Sequence, residues 1–182
     1  MNMKKVITTL VATLICVIAF AQNSSLLRPR MEIAQVESED HDTMMEVFYM
    51  NDESPRTYYL SLGHLGVGTD LLQVNIDPVY EAFIPLGANI EQTIAKLQEI
   101  KEMYKLPRLD STEITGYFSA LYPGGEPMVF TVTSRRFIFS RFLEFSIPVE
   151  NEDLVRATNI YRSDFNSLLT SVKIYKAIHP DE

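Results

Sequence analysis

The sequence predicts an α+β fold: antiparallel sheet laid down in two halves of four strands and a helix, ββββα-ββββα, with the helices packed on the sheet. Three observations carry this. Apolar residues alternate with a period of two between Met31 and Ile76 and again between Ile114 and Tyr161, the pattern of strands with one buried face. A stretch at the end of each half changes to the helical period of 3.6. Turn-forming residues divide the alternating stretches at short intervals, which joins neighbouring strands as hairpins and makes their pairing antiparallel.

Ahead of the first strand, residues 1–21 have the three parts of a cleavable secretory signal peptide. Lys4 and Lys5 form a positive start, Val6 to Phe20 an apolar run, and Ala19-Phe20-Ala21 places small residues where a signal peptidase accepts them, with the cut after Ala21. The run is too short for a transmembrane helix, which needs about 20 apolar residues, and Gln22-Asn23-Ser24-Ser25 follows it at once. Lipoprotein processing at Cys16 fits poorly, because Ile15 stands where a small residue is expected. No integral membrane segment is expected once the leader is cleaved. Residues 22–30, ending in Arg28-Pro29-Arg30, read as a flexible lead-in, and 31–180 as a single α+β domain.

Met31, Ile33 and Gln35 face one way on the first strand, and the acidic stretch Glu37 to Asp42 makes a turn. Met45, Val47 and Tyr49 oppose Glu46 on the second, and Asn51 to Pro55 turns the chain again. Tyr58, Leu60 and Leu62 mark the third, followed by a glycine turn from Gly63 to Gly68. Leu72, Val74 and Ile76 mark a fourth, ending at Asp77-Pro78. The first helix carries Ile90, Ile94, Leu97, the stem of Lys101 and Tyr104 on one face. Asn89 caps it, Gln92 completes a capping box, and Pro107 stops it.

In the second half Ile114, Gly116, Phe118 and Ala120 alternate, Pro123 to Pro127 turns, and Met128, Phe130 and Val132 alternate again. Phe137, Phe139, Leu143, Phe145 and Ile147 share one parity, and a strand from Leu154 to Tyr161 leads to a closing helix. Ser163 is its expected cap, and Phe165, Leu168, Leu169, Val172 and Tyr175 form its apolar stripe. The helices overlay with Leu97 on Leu169, Ile100 on Val172 and Met103 on Tyr175, so 31–107 and 111–180 are candidates for an internal duplication.

Charge and cysteine content narrow the function classes. The whole chain carries 16 Lys+Arg against 24 Asp+Glu, a net −8, and loss of Lys4 and Lys5 with the leader makes it −10. Such an acidic surface repels phosphate backbones and anionic headgroups, which argues against nucleic acid and against membrane surfaces as partners. Cleavage also removes the only cysteine, Cys16, and with it disulfides, thiolate metal sites and a cysteine nucleophile.

Five residues stand out as candidates for binding. Gly63 to Gly68 is no phosphate cradle, because a strand rather than a helix follows it, but His64 and Asp70 flank that turn and can form a small polar site. Arg135, Arg136 and Arg141 are the dense basic group of an acidic chain. They read either as a carboxylate or phosphate clamp or docking patch, or structurally, with Arg135-Arg136 in a hairpin turn and Arg141 at a bulge or edge. Arg141 has the parity of Phe139 and Leu143, so it either enters the core and pairs with a carboxylate or the phase slips near Ser140. His41, His64 and His179 lack zinc spacing, Glu37 to Asp42 lacks a calcium-loop pattern, and no metal or cofactor is expected.

The resulting expectation is an exported, non-catalytic binding or interaction domain, periplasmic, extracellular or cell-surface associated, with a protein or small-molecule partner. A small secreted hydrolase or lyase using Asp/Glu and His is the alternative, and a structural role through an exposed strand edge is a third.

Overall fold

The alternation becomes eight strands joined in chain order. The structure is a computed structural model that describes residues 30–38, 43–63, 81–119, 123–148 and 155–181. The elements are β1 (Arg30–Glu37), β2 (Met44–Met50), β3 (Tyr58–Gly63), β4 (Glu81–Gly87), α1 (Ile90–Met103), β5 (Ser111–Ser119), β6 (Met128–Phe137), β7 (Ser140–Pro148), β8 (Val155–Tyr161) and α2 (Arg162–Ile178). They make one antiparallel sheet in the order β1 to β8, so the fold is α+β with both helices on one face. The strand expected over Leu72, Val74 and Ile76 and the glycine turn around His64 lie outside the described residues.

Every strand sends alternate side chains to the helix side. Val47, Leu60, Ile84, Ile114, Phe130, Phe145 and Ile160 are buried there with Leu97 and Ile100 of α1 and Leu168 and Val172 of α2, in a single apolar core. Phe48, Met50, Tyr59 and Phe83 form a second buried cluster on the opposite face of β2–β4.

Twist gives the sheet its shape. Adjacent strands rotate by roughly 20–25°, and over eight strands this accumulates into a strong curl. The helix α2 follows β8 yet packs most extensively on β1, with smaller contacts to β2, β7 and β8. The hydroxyls of Thr43, before β2, and Thr158, on β8, are 2.7 Å apart. Ser38, after β1, donates to the buried carboxylate of Asp164 in the first turn of α2 at 3.3 Å. Both ends of the sheet therefore meet around α2, and a Lys176–Glu91 ion pair ties α2 to α1. The lysine's bond is the main reason the Glu91 carboxyl lies below the usual range.

Local chemistry sets the boundaries. Asn89 Oδ1 accepts from the Gln92 N–H at 2.9 Å, and Gln92 Oε1 accepts from the Ala88 N–H at 2.8 Å, the expected capping box reaching one residue further back. The buried face of α1 is Ile90, Thr93, Leu97, Ile100 and Tyr104; Ile100 takes the place expected for Lys101, because a whole apolar side chain outcompetes a lysine stem. Ser163 does not cap α2. The helix begins at Arg162, Tyr161 occupies the cap position without a side-chain bond, and Ser163 instead donates to Asp164 at 3.1 Å.

Two strands differ from expectation. In β1 the register shifts between Glu32 and Ala34, so Ala34 and Val36, not Gln35, turn inward after the bulge. The strand β4 has no counterpart among the expected strands, and it holds Pro85, a residue disfavoured within a central strand. It is tolerated since β4 pairs with β5 only from Glu81 to Phe83, leaving the β5 side of Pro85 without a ladder bond to lose. At Gly116 a Cβ would lie 2.6 Å from the Phe83 carbonyl oxygen and 2.5 Å from the Phe130 ring, so only glycine allows β5 to approach β4 while Phe130 fills the core.

Candidate functional site

The arginine group sits at one end of the β6–β7 hairpin. Phe137 pairs with Ser140, so the turn is the two residues Ile138 and Phe139, and the turn expected at Arg135-Arg136 falls later, leaving both arginines within β6. Glycine would ordinarily signal such a turn. Here Ile138 adopts φ +51°, a left-handed conformation unusual for a β-branched residue. The turn carries the most exposed large apolar groups among the described residues: Phe137, Ile138 and Phe139 are 69, 76 and 98 % accessible.

Behind this tip the three arginines have different surroundings. Arg135 is on the sheet face away from the helices and binds Glu144 of β7 through Nη2 at 2.7 Å and Nε at 3.3 Å. Arg136 and Arg141 are direct cross-strand partners on the helix side. Like charges placed opposite one another are destabilising. Arg141 donates to the carbonyl oxygen of Tyr104, at the negative end of α1, at 3.4 Å, rather than to a carboxylate. Its core parity is thus genuine, but it lies past the end of the core.

A cleft of about 640 Å³ opens between the start of β7 and the start of α2. Phe139, Ser140 and Arg141 line one side, Tyr161, Arg162, Ser163 and Asn166 the other. The N–H groups opening α2 lack a side-chain cap, and Arg162 is exposed. The cleft therefore offers guanidinium groups, hydroxyls and an aromatic wall. The buried Tyr104, whose carbonyl accepts from Arg141, donates its hydroxyl to the Ile160 carbonyl at 3.0 Å. Burial, and then the charge of Asp164, push the Tyr104 hydroxyl well above the usual phenol range, so it stays protonated as that donor.

A second polar group lies on the other face of the sheet. The Arg30 guanidinium spans Glu46 at 3.1 Å and Glu81 at 3.0 Å, with its carbon 4.7 Å from the Phe48 ring centre. Ser61 Oγ donates to Glu81 at 2.6 Å. Burial raises the Glu46 carboxyl above its ordinary value, against the lowering effect of Arg30. Arg30, read from sequence as the end of the lead-in, is the first residue of β1 and its charge is matched on both sides, which makes this a fastening of the first strand. Separation in sequence hid it: Arg30 and Glu81 are 51 residues apart.

Of the expected site residues, the structure brings Arg136 and Arg141 together, sets Arg135 on the opposite face of the same hairpin, and leaves His64 and Asp70 outside the described residues. Among the described residues no group of three or more His, Cys, Asp or Glu side chains is placed to hold a metal ion, and no helix is long and apolar enough to cross a membrane. The sequence signal missed for the tip was Phe137-Ile138-Phe139 itself, which reads as strand core until the turn is located. Comparisons with protein-family models, with curated proteins and with solved structures find no match.

Proposed function

We propose that the chain is an exported, non-catalytic binding domain of the periplasm or cell surface, and that it engages its partner through the β6–β7 tip and the adjoining cleft. The observation that carries this is the exposure of three consecutive large apolar side chains, Phe137, Ile138 and Phe139, on a turn backed by arginines. Burying one such side chain is worth about 1.5–3 kcal/mol, so a partner that covers all three gains several kcal/mol that the free molecule forgoes. The facing Arg136 and Arg141 add a site where an anionic group relieves repulsion already present.

Export rests on the leader at residues 1–21, and its cleavage after Ala21 is testable by determining the N-terminus of the secreted protein. The ββββα-ββββα order supports a reading of the halves as a duplication. Leu97 with Leu169 and Ile100 with Val172, the helix pairs that overlay in sequence, are buried in one core.

A thermal-shift screen against sugars, metals, peptides and lipids tests the function, since a ligand selective for the folded state raises Tm. The expected result is a ligand whose shift disappears in Phe139→Ser or Arg141→Gln. A shift untouched by both substitutions would place the binding site elsewhere and overturn the assignment of this surface.

A further inference from the structure

We infer that the partner of the β6–β7 tip is an anionic phospholipid surface, with Phe137, Ile138 and Phe139 entering the headgroup–acyl boundary and Arg136 and Arg141 meeting the phosphates. This rests on the binding reading above and names its partner. Three features of the tip select a lipid surface.

Area is the first. Three side chains offer about 400 Å² of contact, whereas a stable protein interface needs about 800 Å² from each partner. A bilayer sets no such minimum, because it closes around a protruding wedge of any size. Phe139, 98 % accessible, stands out from the surface and does not contribute to a flat patch.

Depth is the second. Strands advance about 3.3 Å per residue, so Arg136 and Arg141, two residues behind the turn pair Ile138-Phe139, trail the tip by about 5–10 Å. An apolar group inserted by about 5–10 Å reaches the boundary between headgroups and chains, which leaves those guanidinium groups at phosphate level. The cleft lies beside them, with Arg162 and Ser140 available to a headgroup.

Charge is the third. The molecule is acidic overall, and that argues against anionic membranes only if its charge is spread evenly. From Met128 to Leu143 the chain carries three arginines and no carboxylate; Glu144 matches Arg135, which leaves Arg136 and Arg141 as the net charge of the tip. Acidic groups more than about 8 Å away are screened at physiological salt, so a membrane meets a locally basic tip.

The test is sedimentation of the processed protein with vesicles of phosphatidylcholine alone or with 30 mol % phosphatidylglycerol (about 30 %, enough for a negative surface potential). The expected result is binding to the anionic vesicles that weakens with added salt. Phe139→Ser should weaken it roughly tenfold or more, and Arg136→Gln with Arg141→Gln roughly tenfold together, with Tm unchanged for the exposed Phe139→Ser.

Absence of vesicle binding, or binding that all variants share, overturns the inference. If vesicles fail but a soluble ligand or an acidic peptide raises Tm in a Phe139- or Arg141-dependent way, the lipid partner falls and the binding surface stands. If nothing responds to either substitution, both fall.

Discussion

Arg30 shows how one side chain changes meaning between sequence and fold. In sequence it ends a polar, aperiodic stretch; in the structure it lies over Phe48 and Phe83 and bridges Glu46 to Glu81. The consequence for pH runs through Glu46. Burial raises its carboxyl above 4.5, so in the window between 4.5 and that raised value the folded chain holds a proton the unfolded chain has released. Stability attributable to Glu46 is therefore fully present below the unfolded value and falls as pH rises through the folded one. Urea midpoints of wild type and Glu46→Gln measured from pH 4 to 7 should diverge, with wild type losing ground as pH increases. Parallel curves would show that Arg30 fully offsets the burial.

Among the elements, the two helices and seven of the eight strands were legible because their periodicity is local. Asn89 with Gln92 announced α1, and the stripe from Phe165 to Val172 announced α2. The β6–β7 turn was not legible, because Ile138 and Phe139 carry none of the residues that favour positive φ, and their hydrophobicity mimics strand core. A left-handed conformation costs a non-glycine residue about 1–2 kcal/mol, against about 0.5–1 kcal/mol of extra entropy lost by glycine. Ile138→Gly should accordingly leave the fold more stable by about 0.5–1 kcal/mol in urea denaturation, while weakening vesicle binding. A destabilised Ile138→Gly would mean that the exposed isoleucine is needed by the fold itself rather than by a partner.

For the whole molecule, closure around α2 is the central feature. It depends on Ser38, Thr43, Thr158 and Asp164, which come from both ends of the sheet. Removing the carboxylate in Asp164→Ala takes away the acceptor for Ser38 and Ser163 and a favourable charge in the first turn of α2, a loss of about 2–3 kcal/mol. Hydrogen exchange should quicken at β1 and the start of α2 while the β5–β6 pairing keeps its protection. Uniform loss of protection would mean that the sheet opens as one unit and not from its ends.

Sequence by itself determined the α+β class, the antiparallel pairing, the capping box at Asn89 and the buried stripe of α2, because each depends on residues within a few positions of one another. It also singled out Arg135, Arg136 and Arg141. Only the tertiary structure decided that Arg136 faces Arg141, that Arg135 is matched by Glu144, that Arg30 joins Glu81, and that α2 closes the sheet against β1. These follow from strand register and accumulated twist, and a single residue of shift in either turns a side chain to the opposite face.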